Sequence, residues 1–164
     1  MVRMKVFFMS ITVFVMRHAE KSPDLNDPHL TAAGAQRAKS LATYIPEQFG
    51  KPDFIFATAN SIHSSRPFET VLPLSQALGL PIDQSYADQD YGALALILRG
   101  SEKYQGKSVL ICWHHGNIPS LLNAMGAQVG TYPNPWPNMT FNMIIKLTIE
   151  GPSVSDVTTV TEPF

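Results

Sequence analysis

Apolar residues cluster along this chain in a few short, continuous runs. Ile11-Thr12-Val13-Phe14-Val15-Met16 is one, Asp53-Phe54-Ile55-Phe56-Ala57 a second and Ser108-Val109-Leu110-Ile111-Cys112-Trp113 a third. Runs of this length without alternation predict strands buried on both faces. Between them the period changes. Ala38, Leu41, Ala42 and Ile45 recur at helical spacing behind Thr31, a good N-cap, and Pro46 falls near the end of that helix. A second helix is expected from about Ser64 to Leu78, closed by Gly79. A third runs from about Tyr91 to Lys103, and a fourth follows Pro119 through Met125. Leu80-Pro81-Ile82 opens a connection with a brief strand. Thr140 to Ile149 alternates as a strand, with Val154 to Val160 as its edge hairpin partner. Strands alternating with helices imply an α/β fold. The expected architecture is a three-layer sandwich: a mainly parallel central sheet, flanked by helices and wound with right-handed crossovers.

The polar residues that interrupt this pattern sit at strand ends. The first run leads directly into Arg17-His18-Ala19-Glu20. The second leads, through Thr58 to Ser65, to Arg66 in the first turn of a helix, where the helix dipole is unfavourable to a cation unless an anion is present. The third ends in His114-His115-Gly116. One of these histidines is expected to pack in the core, and His114 is assigned there. His115 is the better candidate for a site, because Gly116 lets the backbone approach a ligand. Ligands of open α/β sheets bind outside the carboxyl ends of the strands, which is where all three junctions should lie. Each junction alone could be an ordinary solvated strand end. Together they offer two guanidinium groups able to hold three phosphoryl oxygens, and an imidazole able to attack phosphorus when neutral.

Composition narrows the setting. The 164 residues suit one domain, 45% are apolar and 15% charged, and the formal net charge is −1. Neither the charge balance nor any polybasic run points to nucleic acid. A single cysteine, Cys112, is expected to pack mid-strand and fits a reducing, cytoplasmic setting. The basic, apolar start superficially resembles a signal peptide. No small-residue cleavage site precedes Arg17-His18, and the apolar stretch is shorter than the ~20 residues a membrane span needs, so no membrane partner is expected. Residues 1–10 are read as an extension before the fold, and residues 11–164 as one domain.

The ordered motifs resemble those of the histidine phosphatase superfamily, which includes the cofactor-dependent phosphoglycerate mutases. They are Arg17-His18-Ala19-Glu20-Lys21, then Leu30-Thr31-Ala32-Ala33-Gly34-Ala35-Gln36-Arg37-Ala38, then Ser65-Arg66-Pro67-Phe68-Glu69-Thr70, and His115-Gly116. The resemblance implies a phosphoglycerate mutase-like fold. It implies His18 as a nucleophile forming a phosphohistidine, Arg17 and Arg66 as ligands of the phosphoryl oxygens, and His115 as a further donor. Neither a metal nor another cofactor is implied. The leaving group needs a proton, for which Asp88 and Asp90 are the candidates. Asp90 is preferred, although it could equally serve as a plain helix N-cap. Glu20 is assigned to substrate binding with Arg17, Arg66 and His115, although Glu20 and Lys21 could also be simply solvated. Trp113, Tyr91 and Trp136 could wall the entrance. The short loops favour a phosphatase, acting on a phosphorylated small molecule or a phosphoprotein such as a phosphohistidine protein. A mutase-type phosphotransferase and a non-catalytic phospho-ligand binder are the alternatives.

Overall fold

Why the junctions meet becomes clear from strand order. The computed structural model describes residues 8–164. The apolar runs form β1 (Ile11–Arg17), β2 (Phe54–Ala57) and β4 (Ser108–Trp113), with the two-residue β3 (Ile82–Asp83) and the hairpin β5 (Met143–Glu150) and β6 (Ser153–Thr161). They make one six-stranded sheet in the order β3-β2-β4-β1-β5-β6. β1 pairs in parallel with β4, and β2 in parallel with both β4 and β3, while β5 alone runs against its neighbours. The expected mainly parallel α/β sandwich is thus the observed one.

Helices α1 (Ala32–Phe49) and α2 (Arg66–Leu78) cover one face, and α3 (Tyr91–Gly100) and α4 (Ile118–Ala124) the other. The central strands alternate between the two layers, as period-two geometry requires. Val13 and Val15 face Leu94, Leu98 and Leu122, while Phe14 and Met16 face Leu41, Ile45 and Leu74. Such a continuous apolar run can be buried on both faces only in the middle of a covered sheet.

Several boundaries differ from the sequence reading, each for a local reason. Pro46 lies inside α1, which continues to Phe49 and stops where Gly50 turns to φ 81° and donates to Pro46 O at 3.0 Å. The third helix ends at Gly100, and Glu102–Tyr104 forms a separate 3₁₀ turn capped by Ser101. β5 starts three residues later than expected, because Thr140 O is bound instead by Trp136 Nε1 at 3.0 Å. Of the expected extension, residues 1–7 lie outside the described residues. Phe8 to Ser10 precede β1 without regular structure. Among the described residues no helix is long and apolar enough to cross a membrane.

Register aligns the carboxyl ends. Arg17 stands opposite Trp113 and Ala57 opposite Cys112. One residue further on, His18 N donates to Trp113 O at 3.2 Å and Thr58 N to Cys112 O at 3.2 Å. The segments leaving β1, β2 and β4 therefore emerge side by side.

Candidate active site

The segment after β1 is fixed by its backbone on three sides. Besides the bond from His18 N to β4, Ala19 N donates to Thr70 Oγ1 at 2.9 Å, and that hydroxyl donates to Arg66 O at 2.8 Å. Glu20 O accepts from Thr31 N at 3.0 Å. Gly34 makes this last approach possible, since a Cβ there would lie 2.5 Å from Glu20 O. An alanine would force the first turn of α1 off the loop.

The His18 side chain is only 2% exposed. Its Nδ1 lies 2.7 Å from Ala19 O. A carbonyl can only accept, so the ring proton sits on Nδ1 and the Nε2 lone pair is free. Burial, helped by His114, Arg17 and Arg66 and opposed by the bond to Ala19, lowers the His18 pKa to about 3. The ring is neutral at ordinary pH, the state a nucleophile requires.

Arg17 leaves β1 toward the face opposite α2, where its guanidinium stacks over Phe141 at 4.1 Å and donates through Nη1 to Asn138 O. It is 2% exposed, and its Nε and Nη2 have no partner among the described residues. Arg66 donates through Nη1 to Asp27 O at 2.8 Å, and its Nε is likewise buried without a partner. Burial, then the Arg66 charge, lowers the Arg17 pKa to about 10, which leaves it charged at neutrality. Buried guanidinium donors without acceptors are costly unless an anion supplies them. The loop that holds Arg66 is clipped to α2: Glu69 binds His29 Nδ1 at 2.5 Å and Leu30 N at 2.9 Å, and Ser65 N donates to Pro28 O at 2.9 Å.

His18 and Arg66 border a hollow of about 430 Å³ lined also by Lys21, Ser61, His63, Ser64, Asp88, His114, His115 and Gly116. Arg17 is not in its wall, but its charge acts on His18, His114 and His115. Sequence reasoning placed His114 in the core. The structure instead sets its ring 5.5 Å from that of His18, at 69°. The cause is register: β4 ends opposite Arg17, so the next residue on each strand faces the other across the site. His115 also lines the hollow. Burial is the main reason that both rings have pKa values near 4.

Of the two aspartates considered as the acid, the structure brings Asp88 and not Asp90 to the hollow. Asp90 is exposed, accepts from Ala87 N at 3.1 Å and does not line the hollow; it caps the turn before α3. Asp88 lines it. Its Oδ2 accepts from Asn117 Nδ2 at 2.8 Å, its carbonyl accepts from Trp113 Nε1 at 3.2 Å, and Oδ1 is buried without a partner among the described residues. Burial raises its pKa against the pull of the bonds from Asn117 and Trp113. Glu20, expected at the substrate, turns away to Arg37, which donates to it through Nε at 2.9 Å and Nη2 at 2.8 Å and to Glu162 at 2.7 Å. Trp113 and Trp136 are core residues, and Cys112 is fully buried. Sequence reasoning gave no role to Thr70, Ser61, His63 or Ser64. For Thr70 the signal was present, since it sits one helical turn after Arg66 on the same face.

No protein-family model and no curated protein matches the chain in sequence. Its fold is that of the histidine phosphatases. The structure of the protein histidine phosphatase SixA complexed with tungstate matches over 92% of this chain and 97% of that one, with TM-score 0.67 and 19% identity. A candidate phosphohistidine phosphatase SixA from Agrobacterium tumefaciens matches over 90% and 97%, with TM-score 0.59 and 21% identity. Mycobacterial glucosyl-3-phosphoglycerate phosphatase matches over 93% and 98%, with TM-score 0.61 and 14% identity.

Proposed function

We propose that the chain is a metal-independent phosphatase of the histidine phosphatase type. The observation that carries this reading is the neutral, Nδ1-anchored His18 ring beside buried guanidinium donors that have no acceptor among the described residues. The tungstate complex of a similarly folded protein supports it, because tungstate is a tetrahedral oxyanion like phosphate. In the first half-reaction His18 Nε2 bonds to phosphorus as the bond to the leaving oxygen breaks. Arg17, Arg66 and His114 stabilise the charge on the equatorial oxygens. Asp88, as the carboxylic acid, gives its proton to the leaving oxygen. In the second, Asp88 as carboxylate takes a proton from water, the water oxygen bonds to phosphorus, and the N–P bond breaks to return neutral His18.

The short loops around the hollow favour water as the acceptor over a second sugar phosphate. The substrate is a phosphomonoester or a phosphohistidine. The test is to incubate the protein with p-nitrophenyl phosphate in EDTA, quench, and map phosphate by mass spectrometry. The expected result is metal-independent release and an acid-labile phosphate on His18, both lost in His18→Ala. Undiminished turnover by His18→Ala would remove the mechanism.

A further inference from the structure

Arg66 and Glu69 stand three residues apart in the first turn of α2, a spacing at which opposite charges ordinarily pair on one helix face. They do not pair here. Among the described residues no ion pair joins them, and Glu69 sends both carboxylate oxygens to the loop before α1. Oε1 lies 2.5 Å from His29 Nδ1, and Oε2 accepts from Leu30 N at 2.9 Å. A carboxylate only accepts, so a proton sits on Nδ1. Burial lowers the Arg66 pKa, and the charges of Asp27 and Glu69 oppose it through space. Among the described residues neither carboxylate accepts from the guanidinium.

Arg66 takes its contact from the backbone of the same loop. Its Nη1 donates to Asp27 O at 2.8 Å. A guanidinium is rigid and planar, so fixing one nitrogen directs the others. Nε, buried without a partner among the described residues, is therefore aimed by where Asp27 O stands. Three bonds from α2 and its N-cap settle that position. Ser65 N donates to Pro28 O at 2.9 Å, and Glu69 holds the next two residues, His29 and Leu30. The Asp27 carboxylate accepts from His29 N at 2.9 Å, which ties Asp27 to a residue that Glu69 holds. Loop and helix thus close a circuit: Arg66 to Asp27, Asp27 to His29, His29 to Glu69, and Glu69 back along one turn of α2 to Arg66. Neither His29 nor Glu69 lines the hollow.

We propose, resting on the phosphatase reading above, that Glu69 is a positioning residue for Arg66. Through His29, Leu30 and the Asp27 carbonyl it sets the angle at which the guanidinium meets the phosphoryl oxygens. By turning to the loop it also keeps its own carboxylate off the donors that an anion needs. The rival role is purely structural, that of a carboxylate favourable at a helix start.

A double-mutant cycle separates the two roles, with tungstate as the ligand in titration calorimetry and urea unfolding measured alongside. Glu69→Ala should weaken tungstate binding roughly tenfold, the size of one misplaced hydrogen bond to a charged group. In an Arg66→Ala background the same change should have little further effect, because the group it acts through is gone. Glu69→Gln should restore most of the affinity, since its amide oxygen still accepts from Leu30 N. If Glu69→Ala does not fold, His29→Ala takes its place in the cycle and is read the same way, with a smaller expected loss. A variant that unfolds more easily yet binds tungstate unchanged, or a loss that is the same with and without Arg66, overturns the positioning role and leaves the phosphatase reading standing. Failure of the unmutated protein to bind tungstate overturns both.

Discussion

On the floor of the hollow, His18 and its neighbours are set by backbone hydrogen bonds to adjoining elements; at its rim, the Asp88 carboxyl is held by Asn117 Nδ2 alone and the Lys21 ammonium has no ion pair among the described residues. The floor belongs to β1, β4 and the start of α2, and every peptide group from His18 to Glu20 that reaches a partner does so through a neighbouring element. The rim belongs to a 3₁₀ turn and to loop residues. This difference teaches what each part can tolerate. A floor built by strand register cannot shift one group without shifting all of them. A rim built by side chains can be re-specified by substitution, which suits the part of a site that meets the variable half of a substrate.

Removing a floor cation is the strongest way to break this contrast. Arg66→Ala should lower kcat/KM by on the order of 10²-fold or more, because its donors act on charge that grows in the transition state. A loss under fivefold would mean that the unpartnered Nε has no anion to serve. The aspartates come next. Asp88→Asn should cost about 10²-fold with an alkyl phosphate and much less with p-nitrophenyl phosphate, whose leaving group needs little protonation. It should also remove the basic limb of the pH–rate profile. The sign follows from the pKa shifts: the rate needs neutral His18, so it holds above about pH 3, and falls as pH rises through the elevated Asp88 value. Asp90→Asn should leave that limb in place and cost no more than about 1 kcal/mol of stability, the worth of a cap.

The histidine pair sharpens the comparison further. His114→Ala should reduce kcat by about 10²-fold and His115→Ala by less than about tenfold, on the scale of one lost oxyanion donor. The opposite order would return the donor role to His115. Thr70→Val keeps the shape but deprives the buried Ala19 N of its acceptor, which should cost roughly 1–3 kcal/mol in urea unfolding. Acid stability gives the smallest and broadest signal. His18, His114 and His115 titrate at about 3, 4 and 4 when folded and near 6.5 when unfolded. Between those values the unfolded chain binds more protons, so stability should fall as pH drops from about 6.5 toward 4. Burial of Glu162, which titrates at about 7, and of Asp88, whose pKa it also raises, works in the opposite direction within this window, two groups against three. A urea midpoint unchanged between pH 7 and pH 4.5 would contradict the neutral floor.

Most of the floor was legible in the sequence; its second imidazole and the rim were not. Continuous apolar runs have one stable home, the middle of a covered sheet, so Arg17 and His18 could be placed at a strand end, and Arg66 at the helix start that follows another, from pattern alone. His114 and His115 differ by one position and both line the hollow, but it is the His114 ring that lies 5.5 Å from that of His18. That choice was made by the pairing of Trp113 with Arg17. Asp88 and Asp90 both sit where an acid could, and only the 3₁₀ turn, which spends Asp90 on Ala87 N, separates them. Glu20 looked like a substrate ligand because its partner, Arg37, lies 17 residues away.

By itself the sequence determined the alternation of strands and helices, and with it the edge where a ligand must bind, because local periodicity and burial follow from residue type. Tertiary structure alone decided which imidazole faces His18, which carboxyl enters the hollow and which buried guanidinium nitrogens lack an acceptor among the described residues. Those outcomes depend on register and on long-range charge partners, and neither leaves a trace within a short window of the chain.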